Sequence, residues 1–412
     1  MPNSDIKKAA VPSALKRRNR ELILSCFRDN TEHSVADVVR STGISKLTVM
    51  RAIQFFCGKG ILISSGKGES TEQGGKKPEY FRFGFKKYLL SVMMWPEMLG
   101  LTLFDMCLHP VGTSSLEWII PSSPEKAFAF VRKCADELMT KAGISRDALY
   151  GVSLSSSGIV DYETQVLKYS VHSPEWGTDI PVGEYLQDIF GPQVEIFVEN
   201  AGKCISRSIL DQQEEDKHIM VLFTSWGLSG AMIEGGRILN GRDSLIGEIG
   251  HMVLDPSDDE LCSCGSHGCL ERLVSIARLR RRIEAEPPPV SSPLHKLAPQ
   301  SISLQHLFFA SRQEDEYARR FVKYLAGCFA TMLRNVSLVF NPERVVFVGD
   351  YAAADEYFDR CMRQQFDQFH YLASGSAMEL IYDTRPLPEL DARGGAIALL
   401  SRFFADEKLY ED

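Results

Sequence analysis

The sequence predicts an α/β protein made of two unlike parts, a small basic head and a large acidic body. Three observations carry this. Charge is divided, with 17 Lys+Arg against 8 Asp+Glu in residues 1–88 and 29 against 46 in the rest, inside a formal net charge of −8. Patterning is divided too: helical spacing with capping residues in the head gives way, from about residue 88, to short apolar runs alternating with amphipathic stretches. Finally, three of the ten cysteines crowd into residues 262–269.

At 412 residues, 44% hydrophobic and 24% charged, the chain can fill the cores of two or three globular domains. No run of about 18 apolar residues occurs, which argues against a membrane-spanning helix. The N-terminal MPNSDIKKAAVPSALKRRNR has no apolar signal-peptide core, so the expected location is the cytoplasm. In a reducing compartment, clustered cysteines favour metal binding over disulfides.

In the head, residues 15–29 place Leu15, Leu22, Ile23 and Phe27 near one helical face, with Arg and Lys on the other. Ser34 caps a short helix, VADVVRST, that stops at Gly43, and Ser45 caps the next, KLTVMRAIQFFCGKG. Val38, Val39, Ile44, Val49 and Ile53 suit a small three-helix core. The runs Ile61–Ile63 and Tyr80–Phe83 read as strands joined by a flexible segment holding Lys67, Lys76 and Lys77. Two capped helices, a glycine turn and a basic hairpin together predict a winged helix-turn-helix. A helix entering the major groove uses its N-terminal residues on base edges and its flanks on phosphates, so Ser45, Lys46, Thr48 and Arg51 are the candidate DNA contacts, with Lys67, Lys76 and Lys77 on the wing. A basic head on an acidic body is also the charge arrangement of a chain whose head alone meets a polyanion.

In the body, 88–95, 98–106, 149–157, 194–200, 218–225 and 344–350 read as strands. Helices are expected near 124–142, 182–190, 200–213, 271–285, 314–338 and 352–369, and 286–306, with its Pro-Pro-Pro and Ser-Ser-Pro, reads as a surface insertion.

The motifs GVSLSSSGIVD, HSPEWGTDIP, VEIFVENAGK, GGRILNGRDSLIGEIGHM, CSCGSHGCLERLVS and DARGGAIALL follow one another in the order of the ROK family (repressors, open reading frames and kinases). The most specific piece is GEIGHM followed by CSCGSHGCLE, and the chain resembles the family's xylose- and N-acetylglucosamine-repressor type. That resemblance implies a two-lobed actin- and hexokinase-like (ribonuclease H-like) body around a sugar cleft. The expected boundaries are 1–87 for the winged helix, 88–205 for the first lobe with a C-terminal helix 391–405 returning to it, and 206–390 for the second lobe with the metal loop and an oligomerisation surface.

His251, Cys262, Cys264 and Cys269 offer one imidazole and three thiolates, a four-ligand set typical of closed structural zinc sites that leaves no position for a catalytic water. His267 is a rival ligand, but the family pattern assigns the role to His251. The resemblance also implies a hexose site in which Asn200, Glu248, His251 and Glu271 match the family's sugar contacts. The carboxylate that serves the kinases as general base is replaced by Ala201. The glycine-rich phosphate turn of the kinases corresponds to Met94-Trp95-Pro96-Glu97, a second phosphate loop to Thr224-Ser225-Trp226-Gly227, and a Gly-Gly near the adenine to Gly349-Asp350. Methyl groups accept no proton, and Glu97 repels a triphosphate.

The expectation is therefore a DNA-binding transcriptional regulator of carbohydrate-utilisation genes, a repressor with no catalytic residue. It holds a structural Zn²⁺, takes no ATP, binds a double-stranded DNA operator as a homodimer or homotetramer, and answers to a sugar or sugar-phosphate effector. The alternatives are an active ROK sugar kinase with an appended DNA-binding head, or a repressor governed by a protein partner.

Overall fold

A computed structural model describes residues 12–28, 31–67, 77–211, 218–368 and 378–412. The head begins with α1 (Pro12–Ser25), β1 (His33–Ser34), α2 (Val35–Thr42) and α3 (Lys46–Gly58), followed by the antiparallel strands β2 (Leu62–Lys67) and β3 (Glu79–Phe83). Local sequence sets the breaks. Ser34 Oγ accepts from Asp37 N while Asp37 Oδ2 accepts from Ser34 N at 2.9 Å, a reciprocal cap on α2. The helix ends at Gly43 in the left-handed region, φ 69, and the Ser45 side chain then caps α3. Ile23, Leu24, Phe27, Val38, Val49, Ala52, Ile53 and Phe56 form the buried centre, with Val39 and Ile44 partly buried against it. Leu15 and Leu22 correct the sequence reading: they are 52% and 44% exposed, because the face α1 turns inward is Arg20, Ile23 and Leu24, with Phe27 buried in the turn just after it. β1 pairs with β3, so the three strands close one side of the head.

The body contains two five-stranded sheets of the same topology. In the first, β4 (Tyr88–Met94), β5 (Met98–Asp105) and β6 (Pro110–Glu117) form an antiparallel meander. After α4 (Pro124–Ala142), β7 (Leu149–Ser156) joins β4 in parallel. A small hairpin, β8 (Ile159–Asp161) with β9 (Val166–Tyr169), and α5 (Val182–Phe190) lead to β10 (Glu195–Asn200), parallel to β7. After α6 (Ala201–Leu210) the pattern repeats. β11 (Ile219–Thr224), β12 (Leu228–Glu234) and β13 (Arg237–Ile238) form the meander. The helices α7 (Leu270–Leu273), α8 (Ile276–Ala285), α9 (Leu304–Arg312) and α10 (Glu316–Val339) follow. Then β14 (Arg344–Gly349) pairs in parallel with β11, and after α11 (Glu356–Phe366), β15 (Glu379–Asp383) pairs in parallel with β14. The chain closes with α12 (Leu387–Ala405).

Period-two patterning tells how the layers stack. Along β4, Leu90, Val92 and Met94 pack with α4 and α5, whereas Leu89 and Met93 face α12 on the opposite side. Along β11, Met220 and Leu222 pack with α10, while Ile219, Val221 and Phe223 face α6. So α6 and α12 lie against one another between the two sheets. Gly394 and Gly395 permit this, since an added Cβ would sit 1.8 Å from Cys204 O at the first and 2.3 Å from Ser153 Oγ at the second.

The far end of α12 holds the head. Phe403 stacks on Phe85 at 5.1 Å and Phe404 meets Phe83 at 5.7 Å. The tail beyond it is gripped as well: Tyr410 is edge-on to Phe56, Arg20 donates to Tyr410 O at 2.6 Å and pairs with Asp412, and Lys59 donates to Glu411 O at 2.6 Å.

Several sequence expectations are adjusted. The stretch 286–306 is not merely a surface insertion, because Ser292, Leu294 and Ile302 are buried, the last two in the core packed around α10. The predicted 271–285 helix is broken at Val274, and Ser275 caps its second part. The end of the predicted 200–213 helix falls at Asp211, with 212–217 outside the described residues.

Candidate functional sites

The cysteine cluster assembles around the loop after β13. Gly247 and Gly250 let it press on β12, since a Cβ there would lie 2.0 Å from Gly230 O and from Leu228 O respectively. His251, Cys262, Cys264 and Cys269 gather their ligand atoms within 4.8 Å of one another. His251 Nδ1 lies 3.4 Å from Cys262 Sγ, and Cys264 Sγ lies 3.6 Å from Cys269 Sγ. Tetrahedral coordination with Zn–S near 2.3 Å and Zn–N near 2.0–2.1 Å requires ligand–ligand edges of about 3.5–3.8 Å. The set is therefore compatible with a structural zinc. Gly265 and Gly268 both have positive φ, as the tight loop demands, while His267 is exposed and outside the group. Burial, helped by hydrogen bonds with Cys264 and Cys262, pushes the Cys269 thiol up to about 12.

One imidazole faces two ways. With Nδ1 toward the sulfurs, His251 Nε2 points at Glu248 Oε2, 3.9 Å away. Burial raises the Glu248 pKa, helped by Glu271 and opposed by His251 and Lys203, so these four groups converge on one region. Glu271 Oε2 is already engaged, accepting from Leu228 N at 2.9 Å. Asn200 is engaged too: its Oδ1 accepts from Gly202 N at 2.8 Å, capping α6, and its Nδ2 donates to Gly158 O at 2.7 Å. Ala201 beside it is buried and offers only a methyl group.

Sequence reasoning passed over two buried charges here. Lys203, on α6, donates to Asn240 Oδ1 at 2.7 Å and Ser244 O at 3.3 Å, and burial lowers its pKa against the pull of Glu199 and Glu248. Its signal was a lysine inside the otherwise small and apolar AGKCIS run. Asp391, on α12, accepts from Trp95 Nε1 and from Ser155 Oγ, both at 2.6 Å, and burial pushes it up to about 7. A carboxylate in DARGGAIALL was legible as a motif but not as an interior group.

The two segments matched by resemblance to phosphate loops come face to face. Trp95 and Trp226 lie with ring centroids 4.4 Å apart, and Trp226 also meets Phe223 at 5.0 Å. Glu97 is exposed beside Trp95.

On the head, Lys46, Arg51 and Gln54 stand exposed on α3 opposite its buried Val49, Ala52, Ile53 and Phe56. Neither Lys46 nor Arg51 forms an ion pair with another described residue, whereas Ser45 Oγ and Thr48 Oγ1 lie 2.8 Å apart and bond to each other. Lys67 and Lys77 are exposed on the hairpin side, and Lys76 lies outside the described residues. Among the described residues, no helix is long and apolar enough to cross a membrane.

Comparison with known proteins gives this geometry a family. The chain is 29% identical to a glucokinase of Thermotoga maritima over 240 residues, 57% of this chain and 74% of that one. It is 22% identical to the xylose repressor of Bacillus subtilis over 373 residues, 89% of this chain and 91% of that one. A crystal structure of a ROK family transcriptional regulator, described as a homolog of the E. coli MLC protein, superposes with a TM-score of 0.76 at 17% identity, covering 96% of this chain and all of the other. The fold is thus the α/β fold shared by ROK sugar kinases and ROK repressors. The ROK family profile matches residues 114–401, and the chain belongs to the ROK family.

Proposed function

We propose that this protein is a sugar-responsive transcriptional repressor that grips duplex DNA through a winged helix-turn-helix and has no phosphotransferase activity. The observation that carries the reading is the outer face of α3, where Lys46 and Arg51 stand exposed, without ion-pair partners among the described residues, at the start and middle of a capped helix. Major-groove helices use such N-terminal positions. In this reading Ser45, Lys46, Thr48 and Arg51 contact the duplex and β2–β3 is the wing, with Lys67, Lys76 and Lys77 reaching phosphates. Similarity extends over more of the chain in the xylose repressor than in the glucokinase, 89% against 57%, as expected when the head is part of the likeness.

Residues 1–87 are the DNA-binding domain. Residues 88–205 with the returning helix form the first lobe, and 206–390 form the second, which carries the oligomerisation surface. His251, Cys262, Cys264 and Cys269 hold a structural Zn²⁺ that fixes the loop and leaves His251 Nε2 free for ligand. Asn200, Glu248, His251 and Glu271 receive the hydroxyls of a sugar or sugar phosphate, with Glu271 and Asn200 each keeping a backbone bond. Ala201 leaves the sugar hydroxyl without a general base, a loss of about 10²–10⁴-fold in rate. Pseudo-palindromic operators call for at least a dimer. A sugar regulates only through its differential affinity for the DNA-competent and incompetent arrangements. The dock of α12 on the head, through Phe403 and Phe404, supplies a path from the cleft.

The kinase reading has the glucokinase relative in its favour. One pair of assays separates the two. Operator affinity is measured against a panel of sugars and sugar phosphates, and ATP turnover is measured with the same panel. The repressor reading expects at least one panel member to shift DNA affinity and none to be phosphorylated at enzyme rates. Steady turnover of any hexose defeats it in favour of the kinase.

A further inference from the structure

The β4–β5 and β11–β12 turns hold the same place in two sheets of equal topology, and each presents a tryptophan. These tips, Trp95 and Trp226, meet with ring centroids 4.4 Å apart and planes tilted by 51°. Both are braced from behind. Trp95 is buried, its indole donates to Asp391 Oδ2 at 2.6 Å, and its carbonyl accepts from Trp118 Nε1 at 2.9 Å. Trp226 rests on Phe223, and its loop is tied down by the bond from Leu228 N to Glu271.

We propose that the Trp95–Trp226 pair is a clasp that closes the two lobes on each other and fills the phosphate end of the cleft, taking the place a nucleotide would hold between these two tips. This rests on the reading of the body as a sugar-kinase-type cleft without nucleotide chemistry. Two indoles in contact leave no room for a triphosphate between the tips, and neither turn offers the run of glycines through which backbone approaches phosphate. The clasp also touches the helix that carries the head, because Trp95 is bonded to Asp391 near the start of α12, whose other end packs on Phe83 and Phe85. Lobe closure is thereby set by the clasp and by whatever fills the sugar end, and reported to the head along α12.

The test is amide hydrogen exchange on the full-length protein without DNA. Trp226→Ala removes a side chain from the second lobe only. Under the clasp, amides of 94–98 in the first lobe exchange roughly tenfold or more faster, while those of 262–270 keep their wild-type rates. Trp226→Phe, which retains a ring, falls between the two and serves if the alanine variant does not fold. Unchanged exchange at 94–98 in both variants overturns the proposal. In a second arm the wild type is given millimolar Mg²⁺–AMPPNP, and neither tip is expected to gain protection. Protection of either tip means the phosphate end is open and also overturns it. The repressor reading fails on a different measurement, operator binding, and exchange is recorded with no DNA present.

Discussion

Asp391→Asn isolates the electrostatics of the junction between α12 and the first lobe. Asp391 is 1% exposed, and Trp95 Nε1 and Ser155 Oγ both donate to its Oδ2. Among the described residues no cation offsets this burial, and the third group that hydrogen-bonds to the carboxyl is the thiol of Cys204 on α6, whose own pKa burial raises well above its ordinary value. Burial therefore raises the carboxyl from 3.8 to about 7. The folded pKa lies above the unfolded one, so the native state binds the extra proton. The stabilisation this confers is complete below about pH 4 and is lost as pH rises through about 7. Three pKa units at 1.36 kcal/mol each amount to about 4 kcal/mol between the two limits. An asparagine keeps an acceptor for Trp95 and Ser155 and carries no charge. Urea melts followed by tryptophan fluorescence, for wild type and Asp391→Asn, should converge near pH 4 and separate by about 2–4 kcal/mol near pH 8, with the variant more stable. Parallel stability curves across that range would refute a desolvated carboxyl at this position.

Other perturbations have equally direct outcomes. Cys264→Ser should reduce bound zinc from one per chain to a small fraction and lower the melting temperature, read by atomic absorption and calorimetry. Gly394→Ala drives a methyl into Cys204 O, and its cost should reach about 3 kcal/mol or more in chemical denaturation, with soluble yield falling in step. Tyr410→Ala empties an aromatic site that is 3% exposed against the head, and should lower the head's unfolding free energy by about 3 kcal/mol, seen as an earlier calorimetric transition. Arg51→Ala should weaken operator binding about 10- to 100-fold, measured by anisotropy, whereas Lys67→Ala should lower the salt slope by about one with little effect on sequence preference.

Much of this architecture was legible because it is written in local chemistry. The caps at Ser34 and Ser45, the stop at Gly43 and the helix 124–142 each follow from a residue acting on its own neighbours. The cysteine cluster was readable because thiols and imidazole at short spacing have few other uses. What escaped depends on contacts between distant segments. The outward turn of Leu15 and Leu22 is decided by which face α1 gives to α3, where Arg20 lies 3.4 Å over the Phe55 ring. The edge strand β6, PVGTSSLE, has too little apolar character to announce itself and is held by pairing with β5. Nothing in the MMWPE and TSWGL segments foretold that their tryptophans would touch, because 131 positions separate them and only the doubled topology of the sheets brings them together. Asp391 was invisible as an interior group for the same reason.

The central claim, that the head holds duplex DNA through α3, is tested most directly by titrating the full-length protein with genomic duplex fragments over a range of salt, alongside a Lys46→Ala/Arg51→Ala variant. The account predicts tight binding by the wild type that weakens steeply with salt, a slope near −0.9 per phosphate contact, and a loss of about 100-fold or more in the variant. Binding that is absent, insensitive to salt, or equal in the two proteins would contradict it.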